Sequence, residues 1–339
     1  MLIRTKQEEW TMSQKEQYTF VLSDRVERTH VSYKNRYGIT LAADLYTAKG
    51  LDPAQKHPAL VIGPPYGGVK EQGPGVYANQ LAQRGFVALA FDPAFMGESG
   101  GEPRHVSSPD IFAENFSAGV DYLGALPYVD RERIGAIGIC GSGGFALSTA
   151  QVDTRIKAVA TASMYDITAG SRMPFTTPDQ LGELLADLGQ QRYRDFENGV
   201  PEYLPAFPEE PVEKVPEGLD SVSAEFFSYY GTKRGHHPNA RGNFTTTSML
   251  AMLNFRSLDF VDQISPRPIL LIVGENAHSK FYSENVYKAA VEPKELYVVP
   301  DAIHIDLYDR VDKIPFDKLT NFFLSAFHDA NEAAGQEIG

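Results

Sequence analysis

Two nucleophiles stand two residues apart in this chain, Cys140 and Ser142. They lie in Arg133–Gly144, which reads Arg-Ile-Gly-Ala-Ile-Gly-Ile-Cys-Gly-Ser-Gly-Gly. An apolar run (Ile134 to Ile139) enters a knot of small residues, and an Ala-containing stretch follows. That order reads as a strand, a sharp turn and a helix whose first N–H groups face the reacting atom. Such a turn requires small residues two places before and two places after the nucleophile, because a Cβ there would clash. Cys140 has Gly138 and Ser142 in those places, and Ser142 has Cys140 and Gly144, so both registers fit. Either side chain, activated by a base, could form a covalent acyl intermediate. A cysteine at a helix N-terminus beside a histidine is expected to have a lowered pKa. A literal Gly-x-Ser-x-Gly also occurs at Gly97–Gly101, around Ser99. Pro103 follows it and no helical pattern opens there, so Ser99 reads as loop structure.

The elements that would position these groups alternate along the chain. Expected strands are 29–34, 39–46, 59–62, 86–91, 134–139, 157–163, 268–273 and 296–299. The central ones are continuously apolar, as parallel strands covered on both faces are. Expected helices are 76–84, 109–126, 143–152, 283–291 and 315–330; the last places Leu319, Phe322, Phe323, Ala326 and Phe327 on one face. Repeated β-α alternation implies an α/β fold with a mostly parallel, doubly covered sheet. Residues 169–263 break the rhythm. They contain a Pro-rich acidic stretch, a helical pattern over 181–194 and the aromatic cluster Phe226, Phe227, Tyr229 and Tyr230. This segment reads as a helical cap inserted between the sixth and seventh strands, over the sheet edge where ligands bind in open α/β folds. The implied division is an N-terminal extension 1–26, a core 27–168 and 264–330, the cap 169–263 and a tail 331–339.

Composition narrows the function classes. Lys+Arg of 31 against Asp+Glu of 44 gives a net charge of −13, which offers no general attraction to nucleic acid or to an anionic membrane. A single cysteine permits no intramolecular disulfide. The polar start lacks the apolar segment of a signal peptide, and no apolar run approaches the ~20 residues that span a bilayer. A cytoplasmic protein is expected. His236-His237 has no carboxylate at helical spacing, so no metal site is expected. No phosphate-binding glycine loop follows a strand other than the elbow itself, and no cofactor is expected.

In order, the strand leading to Gly63-Pro-Pro-Tyr-Gly-Gly-Val-Lys70-Glu71, the run Phe86–Asp92 before Gly97–Gly101, Val129–Gly135 before the elbow, and Pro300-Asp-Ala-Ile-His304 after the last strand form a set. From about Glu27 to Ala330 the chain resembles the α/β hydrolases, in the dienelactone-hydrolase-like branch with X-prolyl peptidase-like relatives. In that family's register the nucleophile lies seven residues after the Arg of Arg-Ile-Gly, which selects Cys140 over Ser142. The resemblance implies His304 as the base. It implies the backbone N–H groups of Tyr66 and Gly141 as an oxyanion hole. The family's orienting carboxylate normally follows the seventh strand, where this chain has Ala277. Asp166, at the end of the preceding strand, is the preferred substitute and Glu275 the alternative. Lys70 and Glu71 read as a local ion pair. The expected activity is hydrolysis of a carboxylic ester, thioester or lactone with a small to medium acyl or aromatic group. The alternatives are acyl transfer or amide hydrolysis at the same site, or a non-catalytic ligand-binding protein on this fold.

Overall fold

The computed structural model describes residues 18–175 and 177–336. Eight strands form one sheet: β1 (Val26–Lys34), β2 (Thr40–Ala48), β3 (His57–Gly63), β4 (Val87–Phe91), β5 (Val129–Ile139), β6 (Ala158–Ala162), β7 (Ile269–Gly274) and β8 (Lys294–Val299). Their order is β1-β2-β4-β3-β5-β6-β7-β8. The β1–β2 and β2–β4 pairs are antiparallel, and every pair from β4–β3 onward is parallel. All eight strands expected from the sequence are present.

The parallel strands are apolar throughout because both faces are covered. Leu60 and Ile62 of β3 face one core cluster, Ala59 and Val61 the other. The first cluster lies under α1 (Gly73–Ala82) and α10 (Phe316–Gln336), which contribute Val76, Leu81, Leu319 and Phe323. The second lies under α2 (Pro109–Ala125), α3 (Gly141–Ala150) and α8 (Lys280–Ala289), through Phe112, Phe116, Phe145, Leu147 and Val286. Strand β1, at the edge, shows the alternating burial of a one-sided strand.

Between β6 and β7 the described chain forms α4 (Ile167–Arg172), α5 (Pro178–Asn198), α6 (Ser221–Tyr230) and α7 (Met249–Leu253), and no ladder strand. Two isolated bridges, Tyr203 to Thr245 and Val212 to Thr232, tie the loops together. Helix α5 opens with a Thr177–Gln180 capping box and buries only Leu188 and Gln191. The expected N-terminal extension lies outside the described residues up to residue 17. Of the expected tail, residues 331–336 continue α10 and 337–339 lie outside the described residues. No helix among the described residues is long and apolar enough to cross a membrane.

Candidate active site

Strand β5 ends at Ile139, and α3 begins at Gly141. The residue between them, Cys140, has φ 52° and ψ −119°. A non-glycine residue with positive φ is held there only by its surroundings. Three backbone bonds do the holding: Cys140 N–H donates to Ala162 O, and its carbonyl accepts from Gly143 and Tyr165 N–H, each at 2.9 Å. The small-residue requirement is met physically. A Cβ on Gly138 would lie 2.1 Å from the Ser142 carbonyl oxygen.

The two candidate nucleophiles face different spaces. Cys140 lines a cavity of about 530 Å³ together with Tyr66, Tyr165, Tyr308 and aromatic residues of α6. Ser142 is absent from that lining. Its side chain packs against Gly63, where an added Cβ would meet its Oγ at 2.8 Å. Ser99 is structural: its Oγ donates to Asp92 O at 2.7 Å and accepts from Ala42 N–H at 2.9 Å.

Cys140 is 4% exposed. Burial pushes its pKa up, and interactions with the Tyr308 hydroxyl and with the N–H groups of Tyr66 and Gly141 only partly oppose this. The expectation of a lowered thiol pKa is therefore corrected: desolvation outweighs the helix terminus. The N–H groups of Tyr66 and Gly141 lie near enough to this sulfur to lower its pKa. Tyr66 and Gly141 approach so closely that a Cβ on Gly141 would lie 2.8 Å from Tyr66 Cβ. Tyr66 is anchored by stacking on Phe244 at 4.1 Å and by donating its hydroxyl proton to Ser107 Oγ at 2.7 Å.

The loop that carries Tyr66 is fixed from below by Lys70. Its fully buried ammonium donates to Glu71, to Asp92 at 3.2 Å and to Glu98 at 2.7 Å. The expected Lys70–Glu71 pair is thus part of a larger network. Glu71, Asp92 and Glu98 bring oxygens within 4.8 Å of one another, and the Lys70 ammonium occupies the place a cation would take.

His304 lies between β8 and the short α9 (Asp306–Asp309) and is fully buried. Its Nδ1 is 2.6 Å from Ser279 Oγ, and its Nε2 is 2.9 Å from Tyr308 Oη. Burial holds its pKa well below the usual imidazole range, and the neighbouring His278, 4.7 Å away ring to ring, adds to the effect.

Neither expected carboxylate reaches His304. Asp166 is the N-cap of α4, and its Oδ1 accepts from Thr168 and Ala169 N–H, both at 3.0 Å, from Thr168 Oγ1 at 2.7 Å and from Ser257 Oγ at 3.1 Å. An aspartate ahead of a helix start is a preferred cap, and four donors occupy this one. Glu275 is exposed and accepts from Asp301 N–H at 3.2 Å, joining the loops after β7 and β8. The group at Nδ1 is the hydroxyl of Ser279, two residues past Ala277 in the loop where the carboxylate was sought. Sequence reasoning also missed Tyr308, one helical turn after His304, and Glu225 of α6. Glu225 accepts from Ile305 N–H at 3.0 Å and lies 3.3 Å from His278 Nδ1, so the segment between β6 and β7 touches the loop bearing His304.

Comparison with known proteins gives the chain its relatives. The family model for the dienelactone hydrolase family matches residues 43–177. The uncharacterized protein PA2218 of Pseudomonas aeruginosa is 52% identical, covering 90% of this chain and 82% of its own. Its crystal structure superposes with a TM-score of 0.87 over 96% of this chain and 99% of that one. A thiohydrolase of Eupenicillium brefeldianum is 23% identical over 88% of this chain and 94% of its own. The polyketide transferase grgF of a Penicillium species is 26% identical over 82% of this chain and 90% of its own.

Proposed function

Because the chain belongs to the α/β hydrolases, in their dienelactone-hydrolase-like branch, and is an enzyme of the hydrolase or acyltransferase kind, we propose that Cys140 is its nucleophile and that it cleaves or transfers the acyl group of a neutral, largely apolar thioester or ester. One observation carries this reading. The Cys140 sulfur, with the Tyr66 and Gly141 N–H groups near it, lies in a cavity whose lining includes no charged side chain. Phe207, Phe226, Phe227 and Phe244 supply much of the wall, and residues 169–263 act as the cap that closes it. An acyl chain is desolvated there at a gain of about 25 cal/mol per Å² of apolar surface. Nothing in the lining would pair with a substrate carboxylate, which argues against an anionic lactone.

In the proposed reaction the substrate carbonyl oxygen takes the two N–H groups. Each such donor is worth roughly 3 to 4 kcal/mol in the barrier. Cys140 sulfur attacks the carbonyl carbon, and His304 takes the thiol proton and returns it to the leaving group. Water releases the acid, or a second nucleophile takes the acyl group. Relatives named for thioester hydrolysis and for polyketide transfer support both outcomes.

The test is mass spectrometry after mixing with a neutral thioester such as octanoyl-N-acetylcysteamine, on wild type, Cys140→Ala and Ser142→Ala. An acyl adduct on Cys140 that is lost only in Cys140→Ala is expected. Full turnover by Cys140→Ala, or an adduct on Ser142, would overturn the assignment. Added alcohols then measure how the acyl-enzyme divides between hydrolysis and transfer.

A further inference from the structure

One side chain stands between the nucleophile and the base, and the scheme above leaves it unused. Tyr308 Oη is 2.9 Å from His304 Nε2, and Tyr308 lines the same cavity as Cys140, where each side chain shifts the other's pKa. The hydrogen bonds of His304 side-chain nitrogens run to Ser279 and Tyr308, and none runs to Cys140. Tyr308, His304 and Ser279 are fully buried and Cys140 nearly so, which gives a continuous file of four groups shielded from solvent. Its position is fixed. The Tyr308 ring meets Tyr229 edge-on at 5.2 Å, and Tyr77 donates its hydroxyl proton to Leu307 O at 2.7 Å, pinning the turn.

Resting on the acyl-Cys140 reading, we infer that Tyr308 is a catalytic residue that conducts the proton between Cys140 Sγ and His304 Nε2. In the tautomer this requires, Nδ1–H donates to Ser279 Oγ and Nε2 accepts from the Tyr308 hydroxyl. As the S–C bond forms, the carbonyl π electrons move to oxygen. The thiol proton passes to Tyr308 Oη while the proton already on Oη passes to Nε2. When the tetrahedral species collapses, the bond to the leaving group breaks. The imidazolium proton then returns through Oη to the departing sulfur or oxygen. Tyr308 is a neutral phenol before and after each transfer. That suits its surroundings, since burial holds its pKa far above the ordinary phenol range and a lasting phenolate there would be costly.

Tyr308→Phe keeps the ring and deletes only Oη. The expected result is a loss of about 100-fold in the rate of Cys140 acylation by octanoyl-N-acetylcysteamine, in the range of general acid–base catalysis, with a folded protein whose melting temperature falls only as far as the loss of one buried hydrogen bond requires. A purely structural tyrosine would not alter the solvent isotope effect. Here the rate in mixed H2O–D2O should bend with deuterium fraction in wild type, as two protons move together, and become linear in Tyr308→Phe. Acylation within about threefold of wild type, with the same isotope response, would overturn the relay. Should Tyr308→Phe not fold, 3-fluorotyrosine at 308 replaces it, and an unaltered acylation rate there counts against the proposal. Cys140→Ala separates the two readings. If that variant keeps full turnover, the acyl-Cys140 scheme fails. If it is inactive while Tyr308→Phe is fully active, only the relay fails.

Discussion

Removing one hydroxyl, in Ser279→Ala, tests what orients the base. Ser279 Oγ is 2.6 Å from His304 Nδ1, and both residues are fully buried, so water does not readily replace the lost partner. Against a neutral imidazole this bond is worth about 1 kcal/mol net, and against the imidazolium formed during reaction about 1.5 to 3 kcal/mol. The difference, about 0.5 to 2 kcal/mol, falls on the barrier and converts to roughly 2- to 30-fold in kcat. The neutral part falls on folding and lowers stability by about 1 to 3 kcal/mol, because a buried Nδ1–H is left unpaired. Asp166→Asn is the comparison. Its carboxylate caps α4 and Asn caps a helix about as well as Asp, so that change should cost little stability and leave kcat nearly intact. Steady-state kinetics on a neutral thioester, with denaturant melts of the same preparations, reads both effects. The reasoning is refuted if Ser279→Ala retains full kcat while Asp166→Asn loses several hundredfold. A carboxylate acting on the histidine costs about 10⁴ when amidated in a serine protease triad.

Three further outcomes follow from other parts of the molecule. Gly138→Ala drives a Cβ to 2.1 Å from the Ser142 carbonyl oxygen, a backbone atom that cannot swing aside; a loss of about 3 kcal/mol or more should appear as a lowered urea midpoint. Lys70→Met leaves Glu71, Asp92 and Glu98 without their buried cation and should destabilise by about 3 to 5 kcal/mol, which a melt at neutral pH will show. His237 is buried with its pKa lowered to about 4 from 6.5. Its contribution is therefore complete above pH 6.5 and is lost as pH falls toward 4, up to about 3 kcal/mol at about 1.4 kcal/mol per pH unit; denaturant melts across that window should be flatter in His237→Asn.

The sheet was readable from sequence because parallel strands buried on both faces write themselves as unbroken apolar runs, as in Val87–Phe91. The strand-to-helix turn was readable because its geometry demands small residues, and Gly138 is one that no Cβ could replace. The surroundings of His304 were not readable. Ser279 is a common residue type whose significance comes only from the packing of the β7 and β8 loops together. Tyr308 reads locally as one more aromatic residue of the core. Asp166 misled for a physical reason: an aspartate at a strand end that precedes a helix suits both an orienting acid and a helix cap, and here it accepts two cap N–H bonds and the hydroxyls of Thr168 and Ser257, with no bond to His304. The thiol pKa was misjudged because a helix N-terminus is visible in sequence and the depth of burial is not.

The concealment of Cys140 also governs reactions other than acyl transfer. Peroxide and other small oxidants attack thiolates that solvent can reach. Cys140 is 4% exposed and burial favours its protonated form, so it offers an oxidant little to attack. That protection carries weight here. The chain has no second cysteine, so a sulfenic acid at residue 140 could not be rescued by an internal disulfide. On the proposed reading, a nucleophile that gives up its proton only as a carbonyl carbon arrives trades idle reactivity for durability.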